Sequence, residues 1–234
     1  MSVTLQVTPI AWTHFDAAAA EKVMGGFTTD TDGGQALAEA AGRTCFRSFA
    51  KPNPATATNV TYLANILKQM HESVLEHASA SFYVSGVSRS LLTELSRHRH
   101  ISLSVVSQRY VDEADADMVI PPILADDPHG QAILNNVEVA AGVAYVSLVA
   151  HLTDAGMPRK QAREAARAAL PNMTETRFVV TSNLRGWRDV LRRRWHVAAD
   201  AEIRAFAGAI LTELRTIAPN AVQDFPSAPF GDAP

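Results

Sequence analysis

The sequence predicts mixed α and β structure, and three observations carry that reading. Residues 3–10 and 78–87 alternate apolar with polar or small side chains, and 174–182 carries a β-branched run fit for a buried strand. Residues 59–75, 131–152 and 201–217 repeat apolar side chains every three to four positions, the period of a helix. No internal repeat or linker divides the 234 residues, a length that suits one large domain or two small ones.

The elements follow in order. Val3, Leu5 and Val7 share one side of the first strand. Residues 17–24 form a helix ending at Gly25 and Gly26, 28–34 is a turn-rich loop, and a second short helix at 35–41 closes at Gly42. Residues 51–58, with two prolines, are a connection. In the helix 59–75, Val60, Leu63, Ile66, Leu67, Met70 and Val74 mark the apolar face. The strand 78–87 feeds a helix at 88–98, with Ser88 as N-cap and Leu91, Leu92 and Leu95 on its apolar side.

Residues 101–106 are too rich in serine and β-branched side chains for a helix and read as extended, with amides and hydroxyls fit to surround an anion. Asp112, Glu113, Asp115 and Asp117 form a solvated loop; they lack the turn of a metal loop, and no metal site is expected. The helix 131–152 is apolar around more than one stripe, which predicts burial on several sides, in a core or between subunits. Pro158 opens the next helix, whose small face is Ala162, Ala165, Ala166 and Ala169. The helix 201–217 buries Ile203, Phe206, Ile210, Leu214 and Ile217, and Pro219 ends it. The expected division is a domain over 1–218 and an irregular or disordered tail over 219–234.

Composition narrows the function. A net charge of −3 argues against wholesale binding of a nucleic-acid polymer. Cys45 is the only cysteine, so no intrachain disulfide forms, and it reads as a small buried residue. The start of the chain lacks the basic and apolar regions of a signal peptide. The most apolar stretch, 140–150, is short of the roughly 20 residues a bilayer requires. The expected location is the cytoplasm, with no membrane partner.

Chemistry concentrates between positions 97 and 110. Arg97, Arg99 and Arg109 with His98, His100, Ser102, Ser104 and Ser107 make a cluster suited to an anion, and arginine's planar fork suits phosphate. Glu94, Arg97 and His98 share one helical face. Arg99 would turn towards the leucines if the helix continued, so the helix stops near His98 or Arg99 has an anionic partner. A second informative place is the helix after 184. Trp187, Val190, Leu191 and Trp195 form its apolar face and Arg194 lies on it, so Arg194 should point into a site that supplies an anion. Arg185, Arg188 and Arg192 lie elsewhere and can be solvated. On residues alone three readings stay open: an enzyme site, a nucleotide- or nucleic-acid-binding module, and a helical assembly protein with solvated arginines.

The pattern Arg97-His98-Arg99, Ser102, Ser107, Arg109 resembles the signature of the flavin-dependent thymidylate synthases, which make dTMP from dUMP. Three further stretches agree: His71, Ser73, Glu76 and His77; Arg167 before Leu170-Pro171; and Asn183 with Arg185, followed by Arg194. The resemblance spans roughly residues 43–217. It implies an α+β domain with a central mixed or antiparallel sheet and long helices, in a homotetramer whose subunits share their active sites.

The same resemblance implies the site. For dUMP it assigns Glu94, Arg97, Val105, Ser107, Gln108, Arg109, Arg167 and Arg194, with Arg109, Arg167 and the amides at 107–108 on the phosphate. For FAD it assigns Ser73, Arg97, His98, Arg99, Val105, Asn183, Arg185 and Asp189. Arg194 is the catalytic residue, placed at the uracil ring. NADPH is the expected reductant and methylenetetrahydrofolate the one-carbon donor. Val105, Asp189, Ala198 and Asp200 depart from the family's usual residues, on the flavin and nicotinamide side of the chemistry. Ser107 has no evident base to make it a nucleophile, so it is assigned a binding role.

Overall fold

The computed structural model describes residues 3–231. Four antiparallel strands form one sheet in the order β1-β2-β4-β3: β1 (Gln6–Trp12), β2 (Ser79–Ser88), β3 (Ile101–Val105) and β4 (Glu175–Asn183). Among the described residues eight α-helices surround it: α1 (Ala17–Val23), α2 (Gly33–Phe46), α3 (Asn59–Lys68), α4 (Arg89–Leu95), α5 (Pro128–Asp154), α6 (Arg159–Ala166), α7 (Leu184–Arg194) and α8 (Ala201–Ile217). The architecture is α+β, with an antiparallel sheet.

Alternation decides which side of the sheet is covered. Ala80, Phe82 and Val84 of β2 stand beside Ser182, Val180 and Phe178 of β4, and all six are buried. Helices α7 and α8 pack on that face. The Trp187 ring meets Phe82 edge-on, with centroids 5.2 Å apart, and its indole N–H donates to the Ala80 carbonyl at 3.0 Å. Ser88 caps α4 as its sequence predicts, accepting from the Leu91 amide while its own hydroxyl donates to Glu202.

Several expectations are corrected. Helix α2 runs through Gly42 to Phe46, because that glycine is required by packing: a Cβ there would lie 2.2 Å from the Tyr62 hydroxyl of α3. Helix α3 stops at Lys68, and Glu72–Glu76 forms a separate 3-10 turn. Met70 takes a left-handed backbone (φ 55) there and the His71 amide closes on the Ile66 carbonyl. Met70 is consequently exposed, and Val60 is exposed at the start of α3. Cys45 is exposed on α2, not buried.

The acidic loop is only partly solvated, since Glu113 is buried with Arg89 3.9 Å away. Helix α4 ends at Leu95, and residues 101–105 are paired in the sheet, so they form a strand and not an anion nest. Helix α5 is longer and more apolar than expected. Its 27 residues are enough by length and composition to cross a membrane, yet only Ala141 and Tyr145 are buried against this chain. The segment after α8 has a short 3-10 turn at Pro219–Ala221, and Ala221, Val222 and Phe225 are buried. The expected irregular tail extends to Pro234, beyond the described residues.

Candidate active site

Strand pairing brings two motifs together. Ile101 of β3 lies opposite Ser182 of β4, so the residues before β3 meet those after β4 at one end of the sheet. The Ser182 hydroxyl donates to the His100 carbonyl at 2.8 Å, where His100 adopts a left-handed backbone (φ 64) that few non-glycine residues take. Asn183 caps α7 through its side-chain oxygen, which accepts from the Gly186 amide at 2.8 Å. Gly186 has no space for a side chain, because a Cβ would lie 2.2 Å from the Ser182 hydroxyl oxygen and 3.3 Å from the His100 carbonyl oxygen.

Between these segments opens a cleft of about 830 Å³, lined by Glu76, residues 97–100, Asn183, Arg185, Gly186, Asp189, Arg193 and Arg194. That volume falls in the usual range of ligand sites, about 300–1,000 Å³. Five arginines face two lining carboxylates. Arg185 pairs with Glu76, and Arg193 with Asp189 at 3.0 Å. Arg97 and Arg99 have no carboxylate partner among the described residues. The cleft therefore carries an excess of positive charge.

At its inner end Arg194 is 20 % exposed and makes three contacts. Its Nη1 donates to Glu94 Oε2 at 2.7 Å, its Nη2 to the Glu94 carbonyl at 3.4 Å, and its Nε to His98 Nε2 at 2.9 Å. The anion expected opposite Arg194 is thus the chain's own Glu94. His98 is 9 % exposed. Burial lowers its pKa, the Arg194 charge lowers it further, and Asp189, whose carboxylate lies 3.8 Å from Nδ1, opposes them. The imidazole is held neutral with Nε2 as acceptor, an assignment that follows from the hydrogen bonds.

A second cluster lies apart from this cleft. Arg167 lines a shallow cavity of about 610 Å³ with Met157, Lys160, Gln161, Glu164 and Ala165. Arg109 reaches the same place, its Nη1 3.3 Å from Glu164. Arg163 binds Asp112 and the Tyr110 carbonyl, and Lys160 lies 4.9 Å over the Tyr110 ring. The amides of Ser107, Gln108 and Arg109 donate to no group among the described residues. Arg89 supports this loop, donating to the Val106 carbonyl at 3.0 Å.

Glu94, Arg97, His98, Arg99, Asn183, Arg185, Asp189 and Arg194 therefore converge within one chain. Ser107, Gln108, Arg109 and Arg167 do not join them. Ser73 is exposed outside the cleft, on the turn whose Glu76 lines it. Val105 packs against the core at the end of β3 and lines neither cavity. Gly186 and Arg193 line the cleft without any sequence signal, and His100, a member of the anion-suited cluster that the resemblance assigns to neither ligand, lines it too.

Arg188 is the largest departure. It was expected in solvent and is fully buried, between Glu72 and Asp224. Its signal was its place on the stripe Leu184, Arg188, Leu191, Trp195.

A sequence-family profile described as "Thymidylate synthase complementing protein" matches residues 27–220. A probable flavin-dependent thymidylate synthase of Mycobacterium phage L5 is 56% identical over 199 residues, covering 83% of this chain and 82% of the phage protein. The flavin-dependent thymidylate synthase of Mycolicibacterium gilvum is 48% identical over 235 residues, 97% of this chain and 92% of that protein. The chain belongs to the flavin-dependent thymidylate synthase family. The enzyme of that name from Mycobacterium tuberculosis is 50% identical over 213 residues, 88% of this chain and 85% of its own length. Membership of the flavin-dependent thymidylate synthase family gives the arginine-lined cleft a ligand to be tested against. FAD fits what is there: its pyrophosphate is a dianion suited to the unpaired Arg97 and Arg99, and Gly186 leaves one wall without a side chain.

Proposed function

We propose that this chain is a flavin-dependent thymidylate synthase that converts dUMP to dTMP, with methylenetetrahydrofolate as one-carbon donor and NADPH as reductant. The observation that carries the reading is Arg194, fixed by Glu94 and His98 in a cleft where Arg97 and Arg99 have no carboxylate partner among the described residues. Bound FAD supplies the hydride chemistry that no side chain can perform. Arg97, His98, Arg99, Asn183, Arg185 and Asp189 hold it; Ser73 contributes from the adjoining turn, and Val105, which lines neither cavity of its own chain, from the end of another subunit's β3.

The remaining residues position dUMP. Arg109 and Arg167, with the unpartnered amides of Ser107 and Gln108, take its phosphate. Glu94 orients Arg194, whose guanidinium stabilises negative charge developing on the uracil ring. Arg97 stands between the two ligands. Ser107 binds and does not attack, since its hydroxyl has no hydrogen-bonded base among the described residues.

The two basic clusters lie apart in one chain, and among the described residues the main cleft is lined by no apolar side chain that a flavin or uracil ring could rest on. Both facts favour a homotetramer in which one subunit's phosphate cluster completes another's cleft. The apolar face of α5 supports that assembly: Val139, Val143 and Val146 lie on one stripe opposite the buried Ala141 and Tyr145. A bilayer is the poorer occupant, because α5 also packs against α6 and its Tyr145 hydroxyl accepts from the Glu113 amide. The reading places the enzyme in the cytoplasm.

The test is a visible absorption spectrum of the purified protein with added FAD, followed by dUMP titration. Flavin binding and a spectral shift on dUMP are expected. Folded protein that binds no flavin, even with dUMP present, overturns the reading.

A further inference from the structure

We propose that Arg188, anchored by Asp224 of the C-terminal segment, is a positioning residue that clamps the Glu72–Glu76 turn onto α7 and so shapes the flavin end of the cleft. The inference rests on the flavin reading above and adds to it a residue that touches no ligand.

Every donor of Arg188 is used. Its Nε and Nη2 donate to Glu72 Oε1 at 3.2 and 3.1 Å, its Nη1 and Nη2 to the two Asp224 oxygens at 2.6 and 2.7 Å, and its Nη1 also to the Ala221 carbonyl at 2.7 Å. The Phe225 ring lies 4.9 Å from the guanidinium. Arg192, one turn later, donates to both Glu72 oxygens, to Oε2 at 2.9 Å and to the Oε1 that Arg188 also uses. A buried ion network is weak evidence for added stability, and what this one fixes is the position of the turn on α7.

The geometry concerns the cleft. The Glu72–Glu76 turn is tied to α7 at both ends, Glu72 by Arg188 and Glu76 by Arg185. Glu76 and Arg185 both line the cleft, and Ser73 sits between the two anchors. Farther along, α7 carries Asp189, Arg193 and Arg194 into the same space. Asp224 decides whether Arg188 is held from behind, because without its carboxylate one fork of the guanidinium has only the Ala221 carbonyl.

The experiment compares the full-length protein with its Asp224→Asn and Glu72→Gln variants. Asp224 is 44 % exposed, so its isosteric replacement leaves a folded protein to measure. The readouts are FAD affinity by quenching of flavin fluorescence and deuterium uptake at residues 72–77. The expected result is an FAD dissociation constant raised about tenfold or more, the scale on which supporting groups tune a bound group, with faster exchange in the turn. Arg215→Ala is the comparison variant. It removes hydrogen bonds to the Phe225 and Pro226 carbonyls in the same segment without touching Arg188, and it should lower thermal stability while leaving FAD affinity unchanged. Unchanged FAD affinity in folded Asp224→Asn and Glu72→Gln overturns the proposal, as does an equal loss in Arg215→Ala. Failure of the unsubstituted protein to bind FAD would overturn the flavin reading itself, before any variant is compared.

Discussion

Arg194 donates through Nε to His98 Nε2 at 2.9 Å, so the guanidinium at the inner end of the cleft is aimed by a neutral imidazole. Protonation of His98 would replace that acceptor with a second positive charge facing the first. The contact exists only while the ring is neutral, and the site has a lower pH limit built into it.

Burial and the Arg194 charge both depress the His98 pKa below its ordinary value of 6.5. Between the two values the unfolded chain binds the proton and the folded one does not. The stability His98 contributes is therefore complete above about pH 6.5 and is lost as pH falls through the lower folded value. Imidazole resonances followed by NMR should show His98 titrating below 6.5, with turnover falling over the same range. A midpoint above 6.5 would sink the assignment.

Arg194→Ala should lower turnover by about 100-fold or more, the usual cost of removing a donor aimed at developing charge. The fold should persist, because Glu94 is partly exposed and water can solvate the carboxylate left behind. Arg194→Lys should not restore activity, since one ammonium cannot reproduce the three contacts to His98 and Glu94. Steady-state kinetics beside a thermal melt separates the outcomes: normal turnover in Arg194→Ala would remove the residue from the chemistry.

Gly186→Ala should destabilise the protein by about 1–3 kcal/mol, the range for forcing extra volume into a packed site. The new Cβ displaces the Ser182 hydroxyl, which holds the His100 carbonyl. Ser182→Gly in the same chain removes the clash and should recover part of the melting temperature. No recovery would mean that the His100 backbone, 3.3 Å from the new atom, is the real obstacle.

The strands were legible because alternation survives in them. Phe82, Val84, Phe178 and Val180 face the core as their spacing requires, and Ser88 caps the helix it precedes. Helix ends were not legible where the left-handed residue is neither glycine nor asparagine. Arg47 ends α2 and Met70 follows the end of α3 with φ of 49° and 55°, and neither side chain announces a stop. Arg194 was found because a charge on an apolar face demands an explanation. Arg188 lies equally on such a face, but its partners Glu72 and Asp224 are 116 and 36 residues away in sequence, so nothing local marked it as paired. The strand pairing that joins His100 to Ser182 is likewise non-local, and only the folded chain reveals it.

Ser107→Ala should keep measurable turnover. The Ser107 carbonyl receives the Tyr110 and Val111 amides, so the backbone alone maintains the loop once the hydroxyl is gone. The expected loss is in dUMP half-saturation, while kcat changes little. Abolished turnover with unchanged dUMP affinity would instead make the hydroxyl a participant in the reaction.

Val139, Val143 and Val146 present a stripe of exposed valines, and burying each is worth roughly 1.5 kcal/mol or more. Val143→Asp places a carboxylate in the middle of that stripe, where burial against another subunit would leave it unpaired. Sedimentation should show the unsubstituted protein as an oligomer and the variant as a smaller species at micromolar concentration. Turnover should fall with the assembly, because one chain keeps Arg167 and Arg194 in separate cavities. A Val143→Asp variant that is monomeric and fully active would refute the shared site while leaving the single-chain cleft intact.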